Sequence, residues 1–445
     1  MILPTEAAPL LATFAPLFTQ PTYHRFTTLL VGVILTPGRR TVANLLRTLG
    51  SLAPGHRTSY QRVLSSAPWS GLQLGCVLAA FLMRRLVPKG VVTLVGDDTV
   101  DGHPGCRVYG KARHRDAVRS SHSYTAWRYG HKWVVLAVLV KFPFATRPWA
   151  LPILVDLYRS ASDNQARGRR HRTPAQLMCR LLRLVLLRFP DRTFVFVGDS
   201  GFGTHATARF CHRHRDRLTL VSKLHPDARL HAPPPKYAGR GRPRLIGDKL
   251  PKPRQVVADA RRLTRLEVNW YGGGTRRVGT KTGTGLWYQK GDSVVPVHWV
   301  FVRDRTGTHR DEYFFTTNPE MTPTAVIEMY AGRWNIETTF QECRSCLRLE
   351  TTRGWCQATV LRAAPCLFGL YSVVALLYHA LPKAKRVGQV EWSGKTDVTF
   401  SDALTAVRRW LWAESILPQA AGKAGVQIIP RRLRTLILAR LATAA

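Results

Sequence analysis

Two apolar runs in this chain end the same way. Residues 91–95 read Val-Val-Thr-Leu-Val and lead into Gly96-Asp97-Asp98-Thr99. Residues 193–197 read Thr-Phe-Val-Phe-Val and lead into Gly198-Asp199-Ser200-Gly201. A short, nearly unbroken apolar run bounded by turn residues reads as a strand buried on both faces, and such strands belong to sheets covered by helices. Carboxylates at the carboxyl ends of these strands stand where α/β sheets place their ligands. Strand side chains alternate, so one member of the Asp97–Asp98 pair points into such a site and the other away. The competing reading at both places is a turn aspartate that bonds its own loop. The glycines around Asp199 allow a ligand to approach closely, but neither a G-x-G-x-x-G nor a G-K-[ST] phosphate fingerprint is present.

The intervening chain supplies the remaining elements of such a sheet. Residues 133–140 form the clearest strand pattern, and residues 151–157 form another. Thr173-Pro174 opens a helix to about Leu187, a further helix starts near Thr204, and a strand follows at 218–222. Residues 101–130, rich in Gly, Arg, His and Ser, read as a loop or hairpin. Three strands, a helix, a strand, a helix and a strand, with acids after the first and fourth strands, look like a ribonuclease-H-like core. The fold class expected is therefore α/β, with that catalytic core, a β-rich insertion and flanking helical regions. Five segments follow. Residues 1–88 are helical, with the arginine-studded stretches 41–49 and 60–64 suited either to a helix-turn-helix or to plain packing. Residues 89–222 are the first part of the core. Residues 223–320 are a basic linker followed by antiparallel strands, in which Pro296 demotes its run to an edge strand. Residues 321–382 complete the core, and residues 383–445 are a basic helical end.

The second constraint is the stretch 322–353, which the pattern predicts as one helix. Thr322 is placed to cap it, Pro323 takes the first helical position and Gly354 follows its end. At about 100° per residue, Tyr330, Arg333, Glu337 and Arg344 fall within an arc of roughly 60°. A solvated, salt-bridged face is the ordinary fate of such residues. Here Val326, Ile327, Trp334, Ile336, Phe340 and Leu347 crowd the same segment, and a carboxylate held among them needs a partner or a metal.

Tyr330, Arg333, Glu337 and Arg344 resemble the Y-(2)-R-(3)-E-(6)-K signature of bacterial insertion-sequence DDE transposases, with arginine at the lysine position. The charge is kept, but a planar fork replaces a point charge. The resemblance implies that Glu337 is the third metal-binding carboxylate beside Asp98 and Asp199, with Asp97 the alternative to Asp98. The choice of Asp98 follows from the threonine after it, as is common in that family. The resemblance also implies that Tyr330, Arg333 and Arg344 touch DNA phosphates. The metals implied are a pair of Mg²⁺ ions, with Mn²⁺ as the substitute. Hard cations take oxygen ligands, and two of them activate a water and stabilise the leaving oxygen of a phosphodiester. The activity implied is cleavage at mobile-element ends and joining of 3′-hydroxyls to target DNA, by a homodimer that pairs two ends.

Composition separates the partner classes. Lys and Arg number 66 against 27 Asp and Glu, a formal net charge of +39 spread along 445 residues. A field of that sign concentrates polyanions, and duplex DNA is the partner expected. Arg240, Arg242 and Arg244, in Gly-Arg-Gly-Arg-Pro-Arg, are similar to an AT-hook core that lays arginines in a narrow minor groove; a mobile basic loop is the alternative. The eight cysteines show no disulfide framework. Cys343 and Cys346 alone make a C-x-x-C, which on a helix reads as two small buried residues, so reduced thiols in a cytosol are expected. The apolar stretch 363–378 is shorter than the ~20 residues a membrane span needs and reads as a core helix. A location on the nucleoid in the cytoplasm follows. The rival functions are a DNA-binding repressor or architectural factor with an idle core and, further off, an RNA-binding scaffold.

Overall fold

The computed structural model describes residues 7–116, 119–121, 123–236, 239, 242–386, 393–395, 397–413 and 430–442. Five helices open the chain: α1 (Ala8–Ala12), α2 (Gln20–Leu35), α3 (Val42–Leu49), α4 (Arg57–Ser65) and α5 (Gly71–Leu86). The two arginine-studded stretches are α3 and α4, which pack against α2 and against each other.

The strands follow as β1 (Val92–Gly102), β2 (Ala112–Arg115), β3 (Trp127–Val140) and β4 (Trp149–Tyr158). After α6 (Ala161–Ala166) and α7 (Pro174–Arg188) come β5 (Phe194–Gly198), α8 (His205–Arg213) and β6 (Leu218–Lys223). Helix α7 starts where expected because Thr173 and Gln176 form a reciprocal capping box around Pro174. Strand β1 pairs parallel with β5, and β5 parallel with β6; β3 runs antiparallel to β1, and β4 antiparallel to β3. This is the connectivity expected of a ribonuclease-H-like core, an α/β arrangement in which helices cover both faces. Gly96 shows one face: a Cβ there would lie 2.5 Å from the Met178 Cε of α7. The next residue, Asp97, points to the opposite face.

The segment expected as a β-rich insertion is not a separate sheet. Its elements are β7 (Leu230–His231), α9 (Pro253–Ala258), β8 (Thr264–Asn269), β9 (Thr275–Trp287), β10 (Val295–Asp304) and β11 (Glu312–Thr316). Strand β11 pairs antiparallel with β6, so the insertion extends the core into one 11-stranded sheet. Strand β10 lies between β9 and β11 and is interior, against the edge position expected from Pro296. The reason is local. Strand β11 reaches only His298 to Val302, so Pro296 has a single neighbour and its missing N–H leaves no second ladder incomplete.

The single helix expected over 322–353 is two: α10 (Pro323–Arg333) and α11 (Asn335–Ser345). Thr322 caps the first, accepting from the Ala325 N–H at 3.2 Å. At the joint, the Asn335 side-chain amide donates to the Gly332 carbonyl at 2.8 Å, while the Trp334 N–H turns to Ala331. A side chain bonded into the backbone ladder is a recognised cause of a kink. The second helix ends at Ser345, well before Gly354, and Arg348 takes a left-handed conformation, φ 54°. Helix α10 lies over β5, β6 and β11, and α11 over β1 and β4.

Helix α12 (Gln357–Ala380) carries the apolar stretch and begins earlier than expected, with Pro365 inside it. It is long and apolar enough to cross a bilayer, yet Leu367, Phe368, Tyr371, Val374 and Ala375 are buried against β4 and the neighbouring helices. Helix α13 (Phe400–Leu411) follows, and the basic end forms α14 (Arg431–Leu441).

Candidate active site

Strand β1 does not stop at the acids. It runs on to Gly102, so Asp97, Thr99 and Asp101 share one face, while Gly96 and Asp98 share the other. Parallel pairing aligns Gly96 with Gly198, so Asp97 and Asp199, each the next residue, come side by side, Asp97 within β1 and Asp199 just past the end of β5. The repeated Gly-Asp of the sequence is thus a single feature of the fold.

The structure separates the two adjacent acids. Asp97 Oδ2 accepts from Arg333 Nη1 at 2.7 Å, and its Oδ1 accepts from the Asp98 N–H at 2.8 Å. Asp98 points away, and its Oδ1 lies 3.0 Å from Lys132 Nζ of β3. Of the pair, it is therefore Asp97 and not the expected Asp98 that faces α10 and α11. Burial pushes the Asp97 carboxyl up to about 7, Arg333 offsets part of that, and the charges of Asp199 and Asp98 add to it. Burial also raises Asp98, against the pull of Lys132.

Asp199 answers both readings of its sequence. Its Oδ1 accepts from the Gly201 and Phe202 N–H groups at 2.9 and 3.3 Å, the turn role. Among the described residues no hydrogen bond reaches its Oδ2. Ser222 fixes the loop by donating to the Gly198 and Asp199 carbonyls at 2.9 and 2.8 Å.

The stripe on α10 and α11 faces this pair. Arg333 bridges it: Nη1 bonds Asp97, and Nη2 bonds Glu337 Oε1 at 2.9 Å. Burial works against the Arg333 charge, but Asp97, Tyr330 and Glu337 more than offset that and hold its pKa above the usual range. Tyr330 is buried and stacks on Phe314 at 4.3 Å. Its ring lies 5.5 Å from both the Arg333 guanidinium and the Lys223 ammonium. Arg344 sits farther along β1, hydrogen-bonded to Thr99 and 3.6 Å from Glu350. Arg242 and Arg244 are exposed, and neither makes a hydrogen bond or ion pair among the described residues. Arg240 lies outside the described residues. Cys343 and Cys346 are both buried, as expected of small packing residues.

The donor set suits a hard divalent cation: three carboxylates and no soft ligand. Among the described residues no three acids, histidines or cysteines stand close enough to cage a metal ion. The Arg333 guanidinium fills the place between Asp97 and Glu337, a resident cation where an external one would bind.

Two groups escaped the sequence reading. Lys132, the partner of Asp98, lies in β3 just before its long apolar run 133–140. Asp101 is buried with its Oδ2 accepting from Trp133 Nε1 at 3.0 Å and its Oδ1 from the His131 N–H at 2.9 Å. A polar residue at every second position after Val95 was the signal for that face.

A family model described as DDE superfamily endonuclease matches residues 13–277, more than half of the chain. The chain belongs to that family. The match includes Asp97, Asp98 and Asp199 and stops short of Glu337. No curated protein sequence matches the chain. Among solved structures, the cryo-EM structure of the piggyBac transposase synaptic complex with hairpin DNA is similar. The TM-score is 0.41 at 12% identity, covering 94% of this chain and 76% of that one.

Proposed function

We propose that this endonuclease-family chain is a DNA transposase of the insertion-sequence type, cutting phosphodiester bonds at element ends and joining the 3′-hydroxyls to target DNA. The observation that carries the reading is the placing of Asp97, on β1, beside Asp199, the residue just past the end of the parallel strand β5, with Glu337 tied to Asp97 through Arg333. These three carboxylates, with Asp97 in the place first given to Asp98, are the residues that hold Mg²⁺ or Mn²⁺. Bound there, such ions supply the positive charge that activates a water and stabilises the leaving oxygen. Arg333, once off the carboxylates, and Arg344 offer forks to the DNA phosphates, and Tyr330 holds Arg333 in place from below. The net charge of +39 gathers duplex DNA to this face. Work on two element ends fits a homodimer, and work on chromosomal DNA fits the nucleoid.

The test is Mg²⁺-dependent cleavage of DNA carrying the flanks of the protein's own gene, with Glu337→Ala in parallel. Cutting by wild type and not by the variant is the result expected; equal cutting by both would sink the triad. The second reading, a DNA-binding protein with an idle core, draws on the Arg333 bridge that already neutralises Asp97 and Glu337. Tight, salt-sensitive binding without cleavage by either protein would establish it.

A further inference from the structure

Among the described residues five aromatic side chains are exposed, and three of them lie in residues 124–129. They are Tyr124, Trp127, Tyr129, Trp334 and Trp355. Trp127 and Tyr129 begin β3 and keep 50% and 60% of their surface exposed, unusual for rings on a strand of an 11-stranded sheet. They are two residues apart, so they share a face, roughly 7 Å from each other. Among the described residues neither ring stacks on another ring. Each has a cation on one side: Arg113 of β2 lies 4.4 Å from the Trp127 ring, and Lys111 lies 5.8 Å from the Tyr129 ring.

The hairpin is fixed to the strand of the site. Asp97 pairs with Val135 and Gly102 with Gly130, so β3 carries its aromatic end away from the carboxylates along β1. A Cβ at Gly130 would lie 1.6 Å from the Asp101 carbonyl oxygen, so the two strands meet there more closely than a side chain permits. Counting along β3 from Val135, Tyr129 and Trp127 stand roughly 20 and 27 Å from the acids.

The charge around the rings selects the partner. In residues 103–130 Asp116 is the single acid, against Arg107, Lys111, Arg113, Arg115, Arg119 and Arg128, of which Arg128 is paired with Glu350 at 2.7 Å. A polyanion fits that surface. A duplex hides the faces of its bases and needs only cations for its phosphates, whereas an unpaired base offers a face that an exposed ring can cover. A gap of about 7 Å between two ring positions is twice the ~3.4 Å rise between successive nucleotides, room for one base between them.

We propose that the β2–β3 hairpin, through Trp127 and Tyr129, is a stacking platform for unpaired bases, roughly 20–27 Å from the carboxylates. The proposal rests on the reading of the chain as a DNA-processing enzyme.

The experiment compares full-length wild type with Trp127→Ala/Tyr129→Ala and with Trp127→Phe/Tyr129→Phe. Binding is measured at one salt concentration to a fully paired duplex and to the same duplex with a short unpaired thymidine segment. The alanine pair should lose at least about tenfold in affinity for the unpaired substrate and less than about twofold for the duplex, with the phenylalanine pair close to wild type. A 2-aminopurine in the unpaired segment should be quenched by wild type and not by the alanine pair. Equal affinity of wild type and the alanine pair for the unpaired substrate would overturn the platform while leaving the DNA reading intact. So would a change in sedimentation of the alanine pair without DNA, which would make the face a contact between copies. Failure of wild type to bind either DNA would overturn the DNA reading itself and the platform with it.

Discussion

Asp97 and Asp304 are both aspartates on strands of the same sheet, and their surroundings are opposite. The Asp304 side chain is fully buried and bonded on every side: Arg276 at 2.8 Å, the Thr306 N–H and hydroxyl, the Thr308 N–H and hydroxyl, and the His309 N–H. Burial alone would raise its pKa, but those donors overcome it and hold the carboxyl well below the usual range. Asp97 keeps 16% of its side-chain surface and has one external donor, Arg333, with two other acids nearby. Asp304 closes a turn after β10 and is finished as it stands. Asp97 is held against its own preference by the sheet, and carboxylates perturbed in this way cluster at functional sites.

Cleavage is the harshest way to break this contrast. Asp97→Ala should lower Mg²⁺-dependent cutting by about a thousandfold or more, since several kcal/mol of charge stabilisation goes with a metal ligand. Asp98→Ala, which loses only Lys132, should stay within about tenfold of wild type. The reverse order would return the role to Asp98. Stability should then rank the other way. Asp304→Ala strands the half-buried Arg276 and several N–H groups and should destabilise the fold by about 3–5 kcal/mol in urea unfolding. Asp97→Asn should cost far less than that at pH 8.

Acidity sharpens the same pair. With its value near 7 in the fold and 3.8 in the free residue, Asp97 keeps a proton in the folded protein that the unfolded chain has already released. Stability from this group therefore falls as pH rises from about 4 to about 7 and is level above that. Asp97→Asn removes that slope, so the stability of the variant relative to wild type should rise by on the order of 2–4 kcal/mol between pH 4.5 and 8. Mg²⁺ should raise the wild-type Tm more at pH 8 than at pH 5.5, because a ligand must be deprotonated, and it should do so little in the variant. A flat difference across that range would show that Asp97 is ionised throughout.

These contrasts also mark what the chain order could reveal. The strands β1 and β5, their acids and the capped start of α10 were legible because each rests on local chemistry: apolar runs, Gly-Asp ends, Thr before Pro. The choice between Asp97 and Asp98 was not, because strand parity is set by α7 packing onto Gly96, a contact remote in sequence. The alternation Asp97, Thr99, Asp101 pointed the right way, but it is visible only if the strand is carried on to Gly102. The break at Trp334 was hidden for a similar reason. No proline marks it, and the Asn335 bond to Gly332 that makes the joint leaves no periodic trace. Pro296 misled because the edge rule concerns neighbours, and how far β11 reaches along β10 is a property of the whole sheet.

The mildest test lies at the far end of β1, where Arg344 stands in for the lysine of the resembling signature. Its guanidinium spans two partners, Thr99 and Glu350, and Glu350 is also bonded by Arg128 at 2.7 Å. A lysine is a point charge and can hold one of these at a time. Arg344→Lys should therefore keep the charge offered to a phosphate under the proposed function and lose about 1 kcal/mol of stability or less. Arg344→Ala removes the charge as well and should weaken binding to end DNA by about tenfold or less. The decisive reading is the salt dependence: log affinity against log salt should flatten by about one unit in Arg344→Ala and stay unchanged in Arg344→Lys. A slope unchanged in the alanine variant would assign Arg344 to Thr99 and Glu350 alone, an arginine that braces β1 as Arg276 braces Asp304.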